Sequence, residues 1–147
     1  MELFEAVGDA VTGMTPIAGL RSRWHRYGVK VWVGAEQPTR AHYEAQVVGA
    51  KHVPGAKVLA IEVGFHAEHP KPADNDAVLA ALLAKERTWR KVLGAEAEAG
   101  PFLGRDGWAR VSETWVDPDL DDPDLAFELA ARLTDYVTAL EPFVRHL

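Results

Sequence analysis

Glu44, Glu62 and His66 are the residues whose types and spacing could carry chemistry in this chain. Each glutamate falls midway along a run in which polar and apolar residues alternate, so both belong on the polar side of an extended strand. Carboxylates facing each other on neighbouring strands stand ~4.5–5.5 Å apart when in register. At that separation they share a metal ion, or divide acid and base roles through opposed pKa shifts. The run Glu62-Val63-Gly64-Phe65-His66-Ala67-Glu68-His69 adds further metal-ligand residue types, with His66 as the candidate base. Its local spacing is poor, because at ~3.3 Å per residue Glu62 and His66 are about 13 Å apart along a strand. His66 and Glu68 share a face, but reach one ion only with a ligand from another strand, such as His42, and zinc requires three or four converging ligands. The sequence therefore assigns no metal and no cofactor.

Other candidates are weaker. Gly64 inside a strand marks a bulge, a binding floor beneath Trp32, or a space filled by a neighbouring tryptophan. The acidic run Asp117 to Asp124, with Glu128 beyond it, has the oxygen spacing of a calcium loop, but its sixth position is Asp122 rather than glycine. Those acids read better as caps and dipole partners of a following helix. Arg21-Ser22-Arg23-Trp24-His25-Arg26-Tyr27, continued by Lys30, has the composition of a phosphate or single-strand contact. No serine has a nucleophile-elbow context and no glycine-rich phosphate loop is present. With cysteine absent, thiol catalysis, thiolate zinc and disulfides are excluded as well.

The elements that must position these groups follow from periodicity. Leu3, Val7 and Val11 form the stripe of a short helix over residues 2–12, ended by Gly13 and Pro16. Strands are expected at 29–33, 42–48, 58–68 and 108–116, with a turn at Val53-Pro54-Gly55-Ala56 and a loop from Gly100 to Gly107. A helix capped by Asp74 or Asn75 runs to Leu93, and another spans about 123–141, bent or ended by Pro142. The reading is an α+β fold: a four-stranded, mainly antiparallel sheet with helices on one face, in the order α-β-β-β-α-β-α. The opposite face then carries Trp32, Glu44, Gln46, Glu62, His66 and Arg110, which form the expected binding surface.

Length and composition are those of one ordinary globular domain. The net charge of −6 falls entirely in the second half of the chain, a field that disfavours nucleic acid. No stretch has the ~20 apolar residues of a membrane span, and the acidic N-terminus is unlike a signal peptide, so a cytoplasmic address is expected.

The α-β-β-β-α-β order resembles the restriction-endonuclease-like nuclease core. That resemblance implies a carboxylate on the second strand, the place of Glu44, and Glu-x-Lys on the third, where this chain reads Glu62-Val63-Gly64 without the lysine. Residues 42–141, through Tyr43-Glu44-Ala45-Gln46, Ile61-Glu62-Val63-Gly64-Phe65, Asn75, Leu79, Leu82, Trp89, Leu93-Gly94 and Trp108-Ala109-Arg110-Val111, look like an accessory domain found at the ends of some restriction-type endonucleases. This implies an accessory role. The expected function is a non-catalytic binding or interaction module for a protein or small molecule. The alternative is a metal-dependent, nuclease-like hydrolase with Glu44 and Glu62 as ligands. A homodimer through the last helix or an exposed tryptophan is a further expectation.

Overall fold

Two-residue alternation builds the sheet, and the sheet is wider than the sequence suggests. The computed structural model describes residues 2–147. In chain order it contains α1 (Leu3–Met14), β1 (Leu20–His25), β2 (Gly28–Val33), β3 (Ala41–Gly49), a 3-10 turn at Ala50–His52, β4 (Leu59–Ala67), α2 (Pro72–Leu83), α3 (Glu86–Leu93), β5 (Glu98–Pro101), β6 (Ala109–Val116) and α4 (Leu125–Val144). The strands form one sheet in the order β1-β2-β3-β4-β6-β5, with every neighbouring pair antiparallel. No helix among the described residues is long and apolar enough to cross a membrane.

The α+β class stands, but the four-stranded sheet and the order α-β-β-β-α-β-α do not. Both unexpected strands are edges. In β1, the basic-aromatic segment, Arg21, Arg23, Trp24 and His25 are exposed and only Leu20 and Ser22 are partly covered, so its inner side is too short and too polar to stand out in the sequence as a strand. It pairs with β2 as a hairpin, Arg23 opposite Lys30. β5 has only four residues and ends in Gly100-Pro101, a composition that reads as loop; proline's missing N–H is tolerated there because the outer side of β5 has no partner. The long helix also divides in two. The break at Ala84 and Lys85 lets Trp89 of α3 turn back, its Nε1 donating to the Leu82 carbonyl at 2.7 Å. Asn75 lies buried inside α2 rather than capping it, and Pro142 lies within α4. The Pro54-Gly55 turn forms as read, with Gly55 at φ 90° and Ala56 N–H donating to the Val53 carbonyl.

One face of the sheet packs on the helices. Val29, Val31, Tyr43, Ala45, Ile61, Val63, Phe65 and Val111 meet Phe4, Val7 and Val11 of α1 and Leu129, Leu133, Tyr136, Val137 and Leu140 of α4, all buried. Each large aliphatic or aromatic side chain so removed from water contributes ~1.5–3 kcal/mol. Buried polar bonds set the rotation of α4 on the sheet. Tyr43 Oη donates to Glu141 at 2.8 Å, and Glu113 Oε1 accepts from Tyr136 Oη at 2.8 Å and Arg132 Nε at 2.7 Å. Arg132 also donates to the Leu93 carbonyl, which joins α3 to α4.

The second face is roofed. Val48 and Ala60 on this face pack with Val53 and Leu103, while Phe102 stands edge-on to the His66 ring with centroids 4.5 Å apart. The 3-10 turn and the β5–β6 loop thus close over a surface made largely of polar groups. Gly64 is the fixed point beneath this roof. Its φ is +153°, and a Cβ there would come within 2.5 Å of the Ser112 Cα and the Val111 carbonyl oxygen on β6.

Gly64→Ala is therefore expected to destabilise the protein by ~3 kcal/mol or more, since strain adds to a clash with backbone that has nowhere to retreat. Gly13→Ala in α1, with nothing within 4 Å of the added methyl, should stabilise by ~0.5–1 kcal/mol. Urea denaturation of the two variants measures both signs.

Candidate metal centre

The register of β3 on β4 assembles the site. His42 lies opposite His66 and Glu44 opposite Gly64, so the two imidazoles are abreast and the Glu44 carboxylate has a side-chain-free place beside it. Glu68, one residue beyond β4, has the same parity as His66 and returns its carboxylate to the same point. One ligand atom from each of His42, Glu44, His66 and Glu68 falls within 4.8 Å of all the others. Glu44 Oε1 is 2.9 Å from His42 Nε2 and 3.3 Å from His66 Nδ1. Glu68 Oε2 is 3.6 Å from His42 Nε2 and 3.3 Å from His66 Nδ1. A tetrahedron with metal–ligand arms of ~2.0–2.1 Å has edges of about 3.3–3.4 Å, so these four edges enclose a space of the size that a zinc-like ion occupies.

The imidazoles are oriented from behind. His42 Nδ1 is 2.8 Å from the Thr39 carbonyl, which can only accept, so Nδ1 carries a proton there and Nε2 is the nitrogen turned inward, 2.9 Å from Glu44 Oε1. His66 Nε2 faces Glu62 Oε2 at 3.0 Å, which leaves Nδ1 toward the cluster. Glu62 is held in turn by Gln46 Nε2 at 2.9 Å and Ser112 Oγ at 2.7 Å. Arg110 continues the chain outward, donating to Ser112 Oγ at 2.9 Å and Glu98 at 2.8 Å. Despite these close oxygens, neither nitrogen of the fully buried His66 has an aligned hydrogen-bond partner.

The 13 Å expectation for Glu62 and His66 fails here, for a physical reason. Strand spacing separates their Cα atoms, but Gly64 stands between them on the same face, and both side chains lean into the gap it leaves until they meet at 3.0 Å. Glu44 and Glu62 share the polar face without sharing a ligand position: Glu44 approaches His66 at Nδ1 and Glu62 at Nε2, on opposite sides of the ring. Gln46 and Arg110 belong to the supporting network. Trp32 stays apart from the cluster, buried with its Nε1 donating to the Ala35 carbonyl. His42 and Glu68, raised from the sequence only as conditional partners of His66 and not among the expected binding residues, complete the cluster. Their parity with Glu44 and His66 is visible in the sequence, but the β3–β4 register that joins them is not.

Electrostatics couple the groups tightly. Burial alone would raise the Glu44 pKa, but His42 and His66 beside it outweigh that and lower it to about 2. Burial would lower His66, yet the charge of Glu62 and the contacts with Glu44 and Glu68 raise it well above the ordinary histidine value. For Glu62 burial is likewise overcome, by His66, Ser112 and Gln46, and its pKa is lowered.

These shifts set a pH window for the metal-free protein. The lowered Glu44 contributes stability that is present above 4.5 and lost as pH falls toward about 2. The raised His66 contributes stability that is full below 6.5 and lost as pH climbs through its elevated value. Urea midpoints measured in chelator should thus peak between these limits, and Glu44→Gln should flatten the acid limb. A wild-type profile level from pH 3 to 6 would contradict the coupling.

Compared with protein-family models, curated proteins and solved structures, the chain matches none, so its function is argued from the geometry of this site.

Proposed function

We propose that this protein is a metal-binding module that holds one divalent first-row transition ion, zinc foremost, between β3 and β4. The supporting ligands are His42 Nε2, Glu44, His66 Nδ1 and Glu68, and the observation that carries the reading is their convergence at 2.9–3.6 Å with each outward ring nitrogen facing an oxygen acceptor. Two imidazoles exclude the all-oxygen preference of calcium and magnesium, and the lack of thiolate disfavours copper(I). Two imidazoles and two carboxylates are a donor set that suits the tetrahedral coordination of zinc. Charge agrees: Glu44, Glu62 and Glu68 face two imidazoles, and the same balance is reached with two bound protons or with one divalent ion. Metal and protons therefore compete for one buried space.

Four protein ligands fill a tetrahedron, which is the pattern of a holding site rather than one with a position open for water. This keeps the protein a binding module on the polar face of its sheet. The hydrolase reading, with Glu44 and Glu62 as ligands and His66 as base, meets a geometry in which Glu62 orients His66. It would require Glu68, the ligand nearest solvent, to give way to water.

Titration of chelator-treated protein with zinc and with cobalt(II) should give one site per chain, with the intense visible absorption of tetrahedral cobalt(II). His42→Ala and His66→Ala should abolish it, and Glu62→Gln should weaken affinity ~10–100-fold at unchanged stoichiometry. At a hundredfold excess over Kd the ion should stabilise the fold by ~2.7 kcal/mol, seen as a higher Tm. Absence of saturable binding by either ion overturns the proposal.

A further inference from the structure

Glu68 is the one ligand of the cluster with appreciable solvent contact, and what lies above it has a chemistry of its own. The register that pairs Ala41 with Ala67 and Ala67 with Ala109 brings Arg40, Glu68 and Trp108 abreast at the end of the sheet, on the face that carries His42, His66 and Arg110. Glu68 N–H donates to the Arg40 carbonyl at 2.9 Å, which fixes that alignment. A cleft of about 220 Å³ opens there, with Arg40, Glu68, His69, Arg105, Asp106 and Trp108 in its walls.

The walls are built. Asn75, wholly buried, accepts from His69 N–H at 2.7 Å and donates to the His69 carbonyl at 3.0 Å and the Gly107 carbonyl at 2.7 Å, tying one rim to the other. The Arg105 guanidinium lies 4.1 Å from the centroid of the Trp108 ring, a cation–π stack that holds it over the cleft. Among the described residues, neither Arg40 nor Arg105 has a carboxylate within 4.0 Å. Two unpaired guanidinium forks beside one rigid cleft match the planar oxygens of a carboxylate or phosphate.

The Glu68 carboxylate is turned inward, 3.6 Å from His42 Nε2 and 3.3 Å from His66 Nδ1, so its charge is spent within the cluster and the cleft is left to Arg40 and Arg105 against Asp106. We propose that this cleft is an oxyanion site, in which Arg40 and Arg105 take the carboxylate or phosphate group of a small molecule directly above Glu68. Its volume falls below the ~300–1,000 Å³ of drug-sized sites, so the occupant is small.

Calorimetric titration of inorganic phosphate and, separately, acetate into zinc-loaded and zinc-free protein tests it. Zinc occupancy is measured first, so the outcome for the metal is known separately from the outcome for the anion. One anion per chain is expected in either state, weakened tenfold or more in Arg40→Ala and in Arg105→Ala. Both arginines are exposed, so zinc stoichiometry and Tm should hold in the variants. Tighter phosphate assigns a phosphoryl group to the natural ligand, and acetate of equal or greater affinity assigns a carboxylate. A protein that binds neither anion, or binds one equally in the arginine variants, overturns the inference.

Discussion

Three carboxylates cannot leave water together on one side of a sheet unless positive charge goes with them. Glu44, Glu62 and Glu68 do so here around His42 and His66, and the rest of the polar face is arranged about that requirement. Ser112 and Gln46 share the charge of Glu62, Arg110 links it to Glu98 at the edge of the sheet, and the Thr39 carbonyl fixes the tautomer of His42. The positive charge comes from the imidazoles, and on the proposed reading one divalent ion takes the place of their extra protons.

The apolar face supplies the rigidity this needs. α1 and α4 bury one side of β2, β3, β4 and β6, and the Tyr43–Glu141 and Glu113–Arg132–Tyr136 bonds prevent α4 from sliding on it. A slip of β3 by one residue would carry His42 and Glu44 into the apolar core and bring Tyr43 out, so burial of Tyr43 and Ala45 indirectly maintains the metal geometry. Gly64 has the complementary role on the other face. By having no side chain it admits β6 closely, and it puts no side chain between Glu62 and His66.

Much of this is legible in the residues themselves. Alternation in 42–48 and 58–68 identifies β3 and β4, and with them the common face of Glu44, Glu62 and His66. The edge strands are not legible, because β1 has only Leu20 and Ser22 partly covered on its inner side and β5 is four residues ending in glycine and proline; neither has an apolar side long enough to impose a clear period. The break between α2 and α3 is hidden for a related reason. Helical spacing continues through Ala84 and Lys85, and only the docking of Trp89 beneath Leu82 requires the turn there.

The sequence alone determined which side chains share a face, since a strand's two-residue period is a local property of the backbone. It also determined that any chemistry would come from histidine and carboxylate, since cysteine is absent. Tertiary structure decided which of those side chains meet. The pairing of His42 with His66, the return of Glu68, the assignment of Glu62 behind His66 and the roof of Phe102 and Leu103 all depend on register between distant segments. Register is settled by packing the opposite, apolar face, so no local pattern in the polar residues encodes it.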